Sequence, residues 1–231
     1  MKECLVLFSG GIDSTTALYW AVSQYKKVYA LTFDYGQRHS IEITFGQRIT
    51  TRLQIPHKIL LLNLWQIGGS SLTDFTLDIP EFDKVEEIDG GLPLTYVPFR
   101  NGIFLSMAAA WAEVKGIRDI ICGFNIIDSP NYPDTSSSFV EAMEKAINLG
   151  TKALFSRNKT RVIAPFIHMK KSEIIRVGFS LEADYSYAIS CYAGREVPCG
   201  KCSSCLLRRK AFLEAEKKDP LLERLEKEGK I

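Results

Sequence analysis

Leu7-Phe8-Ser9-Gly10-Gly11-Ile12-Asp13-Ser14-Thr15-Thr16-Ala17 is the stretch that decides the fold. The apolar run Leu5 to Phe8 reads as a buried strand, and Thr15 to Gln24 reads as a helix. The paired glycines therefore sit where a strand turns into a helix, and the amides of such a turn converge on the partial positive charge of the helix N-terminus. Gly10 and Gly11 let the backbone approach an anion closely, and the hydroxyls of Ser9, Ser14, Thr15 and Thr16 add donors. A turn of this kind is suited to phosphate. The plainer reading is a tight turn with Asp13 or Ser14 as a helix cap, but the hydroxyl and carboxylate pattern exceeds what a cap needs. Neither G-x-x-x-x-G-K-[ST] nor G-x-G-x-x-G is completed here.

Working outward, Val28 to Phe33 is a second strand and completes a βαβ unit. The pattern continues with a helix over 40–53, a strand at 58–62, a helix over 102–115 and a strand at 118–124. A helix over 136–148 follows, with Phe139, Met143 and Ile147 as its buried stripe. Then come a strand at 162–166 and a helix over 171–178 that Gly178 is expected to end. Short apolar strands alternating with helices predict an α/β fold, a parallel sheet with helices on both faces. Between Asn63 and Val97 the periodicity fades among glycines and prolines, as in an insertion or lid. Residues 1–185 are expected to form the nucleotide-binding part. Residues 186–231 would be a small C-terminal appendage ending in an amphipathic helix.

The composition suits one globular domain: 231 residues, 46% hydrophobic and 24% charged. It excludes a disordered, collagen-like or disulfide-stapled chain. Lys and Arg number 29 against 27 Asp and Glu, a net +2 that argues against a polyanion binder. Leu5 to Phe8 is far too short for a signal core or a membrane span, so the expectation is a cytoplasmic protein with no membrane partner.

In that compartment the six cysteines point to metal or thiol chemistry. Cys191, Cys199, Cys202 and Cys205 have the spacing C-x7-C-x2-C-x2-C, with the last three on one knuckle and Cys205 in the first turn of a helix. Four soft thiolates suit tetrahedral zinc, and a fully occupied shell makes the metal structural. An iron–sulfur cluster and a redox Cys-x-x-Cys are the alternatives. Cys4 and Cys122 fall in strands and read as small buried hydrophobes.

The glycine turn resembles the SGG-x-DS loop of the ATP pyrophosphatase superfamily, the PP-loop, on an adenine nucleotide alpha hydrolase-like fold. Members cut ATP between its α and β phosphates and pass AMP to a carboxylate or carbonyl oxygen. The resemblance implies that Leu7 through Ala17 bind ATP and that Asp13 helps hold Mg²⁺ with the released pyrophosphate. Phe33-Asp34-Tyr35-Gly36-Gln37-Arg38-His39, Pro98-Phe99-Arg100-Asn101, Tyr132-Pro133-Asp134, Ser190-Cys191-Tyr192 and Cys199-Gly200-Lys201-Cys202-Ser203-Ser204-Cys205 narrow it further. In that order they resemble the motifs of the 7-cyano-7-deazaguanine synthase family, over residues 5 to about 212. That resemblance implies a ligase of queuosine or archaeosine biosynthesis. It would convert 7-carboxy-7-deazaguanine and ammonia to 7-cyano-7-deazaguanine through adenylated intermediates, using ATP, as a homodimer and without direct contact to nucleic acid. Adenylation makes chemical sense, since it turns a carboxylate oxygen into a leaving group.

On this reading Asp13, Arg100 and Lys171 carry the chemistry. Arg100 would contact phosphate or substrate carboxylate, with Asn101 capping the following helix, and Lys171 would stabilise charge on the adenylate. Surface or solvated positions are the bland alternatives for both cations. Asp134 beside Tyr132 would read the guanine edge and stack on it, with Asp128 as second choice. Asp134 could equally be the N-cap of the 136–148 helix. His39 is a candidate proton shuttle or a hydrogen-bonded structural histidine. Where family members carry Cys-Arg after Tyr-Pro-Asp, this chain has Thr135-Ser136, which leaves Arg157, Lys159 and Arg161 as replacement cations. Two rival functions remain open: another PP-loop enzyme such as a tRNA thiolase or amide synthetase, and a zinc module binding nucleic acid through Leu206-Leu207-Arg208-Arg209-Lys210.

Overall fold

The computed structural model describes residues 2–88, 90–127 and 131–231. Five strands form one parallel sheet: β1 (Glu3–Leu7), β2 (Lys27–Asp34), β3 (His57–Leu61), β4 (Asp119–Ile121) and β5 (Arg161–Ile163), in the order β3-β2-β1-β4-β5. The alternation along β1 separates the two faces. Leu5, with Leu31, Ile120 and Val162, packs under α3 (Arg100–Lys115) and α4 (Ser137–Gly150), where Leu105, Ala108, Ala112 and Ile147 are buried. Cys4, Val6 and Phe8 face the other way, against α1 (Ile12–Gln24), α2 (Ile41–Arg52) and α5 (Lys171–Ser180) through Ala17, Leu18, Ile49 and Ile174. The expected α/β fold, with helices on both faces, is what the chain forms. Cys4, in β1, and Cys122, one residue past the end of β4 rather than inside the strand as expected, are fully buried, and burial pushes both thiols up to about 12.

Gly178 does not end its helix: α5 runs on to Ser180. A Cβ on Gly178 would lie 1.7 Å from the Tyr185 hydroxyl, so the glycine is there to admit that side chain. The Tyr185 hydroxyl in turn meets Thr16 Oγ1 at 2.6 Å. Around Tyr185, Ile12, Ile175, Ala188 and Phe212 join α1 and α5 to α6 (Ser203–Glu214). Behind α6, α7 (Pro220–Lys227) buries Leu221 and Leu225 against Phe45, Cys191 and Cys202. Arg208 of α6 clamps the Asp219 carboxylate at 2.6 and 2.8 Å and donates to the Ala188 carbonyl at 2.6 Å.

Among its described residues, the segment from Asn63 to Val97 holds no helix or strand beyond short 3₁₀ turns at Leu64–Gln66 and Val85–Glu87, yet Ser70, Ser71, Leu72, Thr73, Thr95 and Val97 are buried. Its far end reaches the cysteine knuckle, where Phe82 N donates to the Lys201 carbonyl at 2.9 Å and Glu81 bridges Cys202. Among the described residues, no helix is long and apolar enough to cross a membrane.

Candidate active site

The strand order reverses between β1 and β4, and a parallel sheet opens a ligand crevice at such a switch point, beyond the C-terminal ends of its strands. The glycine turn leaves β1 at this place. Gly10 takes φ +87°, a left-handed conformation, and a Cβ on it would come 2.7 Å from the Glu42 carbonyl. Gly11 has an ordinary φ of −81° and opens α1 without a side-chain cap, so neither Asp13 nor Ser14 caps that helix. Ser14 instead donates from Oγ to the Gly11 carbonyl at 3.0 Å and accepts from Ser9 N at 3.3 Å, which holds the turn in shape. Across the crevice Gly123 follows β4. A Cβ there would sit 2.8 Å from the Asp13 backbone and 2.9 Å from Ser14 N.

A cavity of about 300 Å³ opens on this turn. Of the predicted nucleotide-binding stretch, Leu7, Phe8, Ser9, Gly11, Ile12, Asp13 and Ser14 line it. Gly10 shapes the bend behind it, while Thr15, Thr16 and Ala17 are buried in the packing under α1 and Thr16 is spent on Tyr185. Arg100, Tyr132 and Lys171 line the cavity as well. Lys171 Nζ lies 2.5 Å from Asp13 Oδ2, and Asp13 Oδ1, itself out of solvent, has no hydrogen-bond partner among the described residues. An orphaned carboxylate oxygen beside a phosphate-type turn fits a hard cation such as Mg²⁺.

Farther in, Arg100 opens α3 and donates from Nη1 to Tyr35 Oη at 3.1 Å. Burial pushes the Tyr35 phenol up to about 12 despite the nearby guanidinium. Asn101 lies within the first turn rather than capping it. Asp134 does the capping from outside the helix, accepting from Asn101 N at 2.9 Å, while Asn101 Nδ2 donates to the Asp134 carbonyl at 3.2 Å. The 137–150 helix is capped by Ser136, which accepts from Phe139 N. Asp134 is thus a cap, but of the other helix, and it stands behind the cavity wall that Tyr132 and Thr135 form. Asp128 lies outside the described residues. Arg157, Lys159 and Arg161 do not line the cavity: Arg161 is paired with Asp119, at the start of its strand, and Lys159 donates to the Ala153 and Leu154 carbonyls.

Reading the sequence missed Glu42. It lines the cavity with its Oε1 3.4 Å from His39 Nε2 and 3.3 Å from Gln37 Nε2. Burial lowers His39 to about 3, helped by the charge on Arg100, and raises Glu42 to about 8. The signal was available in the i, i+3 spacing of His39 and Glu42 at the mouth of α2, which sets both on one side of the turn. Gly123, Leu72 and Thr95 were missed too, since nothing local marks a residue that acts only by standing opposite another segment.

Cys191, Cys199, Cys202 and Cys205 bring their sulfurs within 4.8 Å of one another, and Cys205 falls in the first turn of α6. Cys199 Sγ and Cys205 Sγ are 3.9 Å apart, close to the roughly 3.8 Å edge of a tetrahedron with bonds of about 2.3 Å. Backbone amides of Cys199 and Cys202 donate to the sulfurs of Cys191 and Cys199, each at 3.3 Å. The four thiols can hold a metal ion, with sulfur at every corner. Arg208 and Ser190 carry this segment to the cavity wall, and Ile189 N donates to the Gly10 carbonyl at 3.1 Å.

Residues 3–216 match the model of the family described as queuosine biosynthesis protein QueC. Curated proteins named 7-cyano-7-deazaguanine synthase align over almost their whole length. The one from Coxiella burnetii is 43% identical over 223 residues, 95% of this chain and 97% of its own. That from Dechloromonas aromatica is 45% identical over 227 residues, 97% of this chain and 99% of its own. That from Thermoplasma acidophilum is 45% identical over 220 residues, covering 95% and 91%. Among solved structures, a 4-thiouridine synthetase in complex with RNA and ATP superimposes with a TM-score of 0.51 at 19% identity, over 99% of this chain and 53% of that one. The last is a likeness of fold.

Proposed function

The chain belongs to the QueC family, whose curated relatives are 7-cyano-7-deazaguanine synthases, and from that premise we propose an ATP-dependent ligase that turns 7-carboxy-7-deazaguanine and ammonia into the nitrile through adenylated intermediates. One observation carries the ATP-dependent part: the Gly10 turn at the sheet's switch point, with the Asp13–Lys171 pair at one side of a single cavity and Arg100 at the other.

The turn's amides and the start of α1 bind the phosphates. Asp13 Oδ1 would hold Mg²⁺, which when bound supplies charge neutralisation for the pyrophosphate. Lys171 directs its charge to the α-phosphate, where negative charge builds as the acid's oxygen attacks. Arg100 orients the carboxylate, and Tyr132 offers a ring face to the deazaguanine. Ammonia displaces AMP to give the amide, and adenylation of the amide oxygen followed by loss of AMP gives the nitrile. The cysteine set holds zinc as a structural ion, fixing the wall that Ser190 and Tyr192 contribute. The net charge of +2 supports a small acid rather than an RNA as substrate, and the family resemblance supports a cytoplasmic homodimer as the working unit.

The deciding experiment incubates the protein with ATP, Mg²⁺, ammonium and 7-carboxy-7-deazaguanine, and follows AMP and nitrile by mass spectrometry. Formation of both is expected. AMP without nitrile would transfer the chain to another adenylating reaction, and no AMP with any acid would remove the ligase reading.

A further inference from the structure

His39 and Glu42 stand between the phosphate turn and Arg100, and the adenylation scheme leaves them without a task. His39 is 6% and Glu42 8% exposed, yet both line the cavity. Glu42 touches the turn directly, since its carbonyl is what a Cβ on Gly10 would strike. On the other side Tyr35 Oη joins Arg100 at 3.1 Å and His39 Nε2 at 3.5 Å. The backbone of Glu42 therefore adjoins the phosphate turn, and the Tyr35 hydroxyl links His39 to Arg100 along the wall of the same cavity. His39 Nδ1, out of solvent, has no hydrogen-bond partner among the described residues, while Nε2 faces the Glu42 carboxyl. An imidazole backed by a carboxyl at one nitrogen and unsatisfied at the other is the constellation of a general base. Its 3.4 Å separation from Glu42 is long, as catalytic hydrogen bonds commonly are before substrate tightens them.

We propose that His39 Nδ1 removes the proton of the nitrogen nucleophile in the acyl-transfer step, with Glu42 as the positioning and proton-accepting partner behind it. The inference rests on the ligase reading above. Ammonia's lone pair forms the C–N bond at the acyl carbon of the adenylate. The resulting R–C(O⁻)(OAMP)–NH₃⁺ gives one proton to Nδ1, while Nε2 passes its own proton to the Glu42 carboxylate. Collapse of the alkoxide breaks the bond to the AMP oxygen, which leaves with the electron pair. One amide, one AMP and one proton on the pair result, and the proton is then released to solvent. The step runs from the ionised pair, the form that prevails above about pH 8, and burial then sets the direction of flow: the incoming proton comes to rest on the Glu42 carboxyl while the imidazole stays neutral.

The test separates nitrogen transfer from adenylation in wild type, His39→Gln and Glu42→Gln. Three rates are read: acid-dependent exchange of pyrophosphate into ATP, ammonium-dependent amide plus nitrile, and hydroxamate formed with hydroxylamine. The hydroxylamine adduct has a far more acidic N–H and sheds its proton to water unaided. Both variants should keep exchange and hydroxamate within about threefold of wild type and lose ammonium-dependent product by at least about tenfold. Glu42→Gln removes a buried acid and serves if His39→Gln fails to fold. Parallel loss with both nucleophiles, or loss of exchange in folded variants, would make the pair structural and overturn the inference alone. Absence of exchange in wild type would instead overturn the ligase reading.

Discussion

Lys171 and Asp13 open two different helices, α5 and α1, and meet at 2.5 Å across the mouth of the phosphate turn. Each is positioned by its own helix start, so the contact fixes the angle at which the helices enter the site. Lys171→Ala and Arg100→Ala should each lower turnover more than about tenfold, because each removes a cation from developing or bound negative charge. Neither should unfold the protein, since both side chains border a cavity and not the core. Steady-state kinetics beside circular dichroism checks this, and normal rates would exclude the residue from the site.

Gly123 offers a test of the turn that leaves every polar group in place. Alanine at this position would put a methyl 2.8 Å from the Asp13 backbone, which neither main chain can yield cheaply. Gly123→Ala should cost about 1–3 kcal/mol of stability, the usual range for overpacking. It should also weaken ATP by about tenfold or more, because the amides shift as a group. Gly11→Ala, whose Cβ would meet no protein atom nearer than 3.6 Å but lines the cavity, should leave stability within about 0.5 kcal/mol and still weaken ATP. Calorimetric titration of Mg²⁺-ATP that gave both variants wild-type affinity would contradict the phosphate assignment.

Asp134→Ala removes the acceptor for Asn101 N and should destabilise the protein by about 1–2 kcal/mol, as other lost caps do. Ser136→Ala should cost a similar amount through α4. A loss of substrate affinity with unchanged stability in Asp134→Ala would return this residue to the guanine edge.

The parallel sheet was legible because each strand is a short apolar run flanked by helix-period residues, and the four-cysteine cluster was legible because its members are close in the chain. Tertiary caps were not. Asp134 precedes a helix by three residues and reads as belonging to it, but Ser136 is nearer and Asn101 is 33 residues away. Gly178 misled for a related reason, since a glycine near a helix end suggests termination when its use is to admit Tyr185. Gly10 was legible as a close-approach residue, though the neighbour that demands it, the Glu42 carbonyl, lies on another element.

The cysteine cluster should carry one zinc per chain in aerobically purified protein, by elemental analysis. Removal by a strong chelator, or Cys199→Ser, should lower the melting temperature by about 10 °C or more, since the four sulfurs hold together the packing of α6, α7 and the 81–82 bridge. Brown protein with stoichiometric iron would replace zinc by a cluster.

Glu42 makes stability depend on pH with a definite sign. Burial raises its folded pKa to about 8, from 4.5 in an exposed carboxyl. The unfolded chain therefore ionises first as pH rises, so stability is fully present below 4.5 and is lost through the interval up to 8. Glu42→Gln cannot ionise and escapes that loss. The variant should match wild type at about pH 4 and exceed it above pH 8, by up to about 5 kcal/mol at the conversion of 1.4 kcal/mol per pKa unit. His39 acts in the opposite direction. Its pKa of about 3 against 6.5 when exposed means stability is lost as pH falls below 6.5, and His39→Gln should flatten the acid side of the profile. Urea unfolding at intervals from pH 4 to 9 reads both limbs. A Glu42→Gln protein no more stable than wild type at pH 8.5 would mean the carboxylate is already well compensated by Arg100.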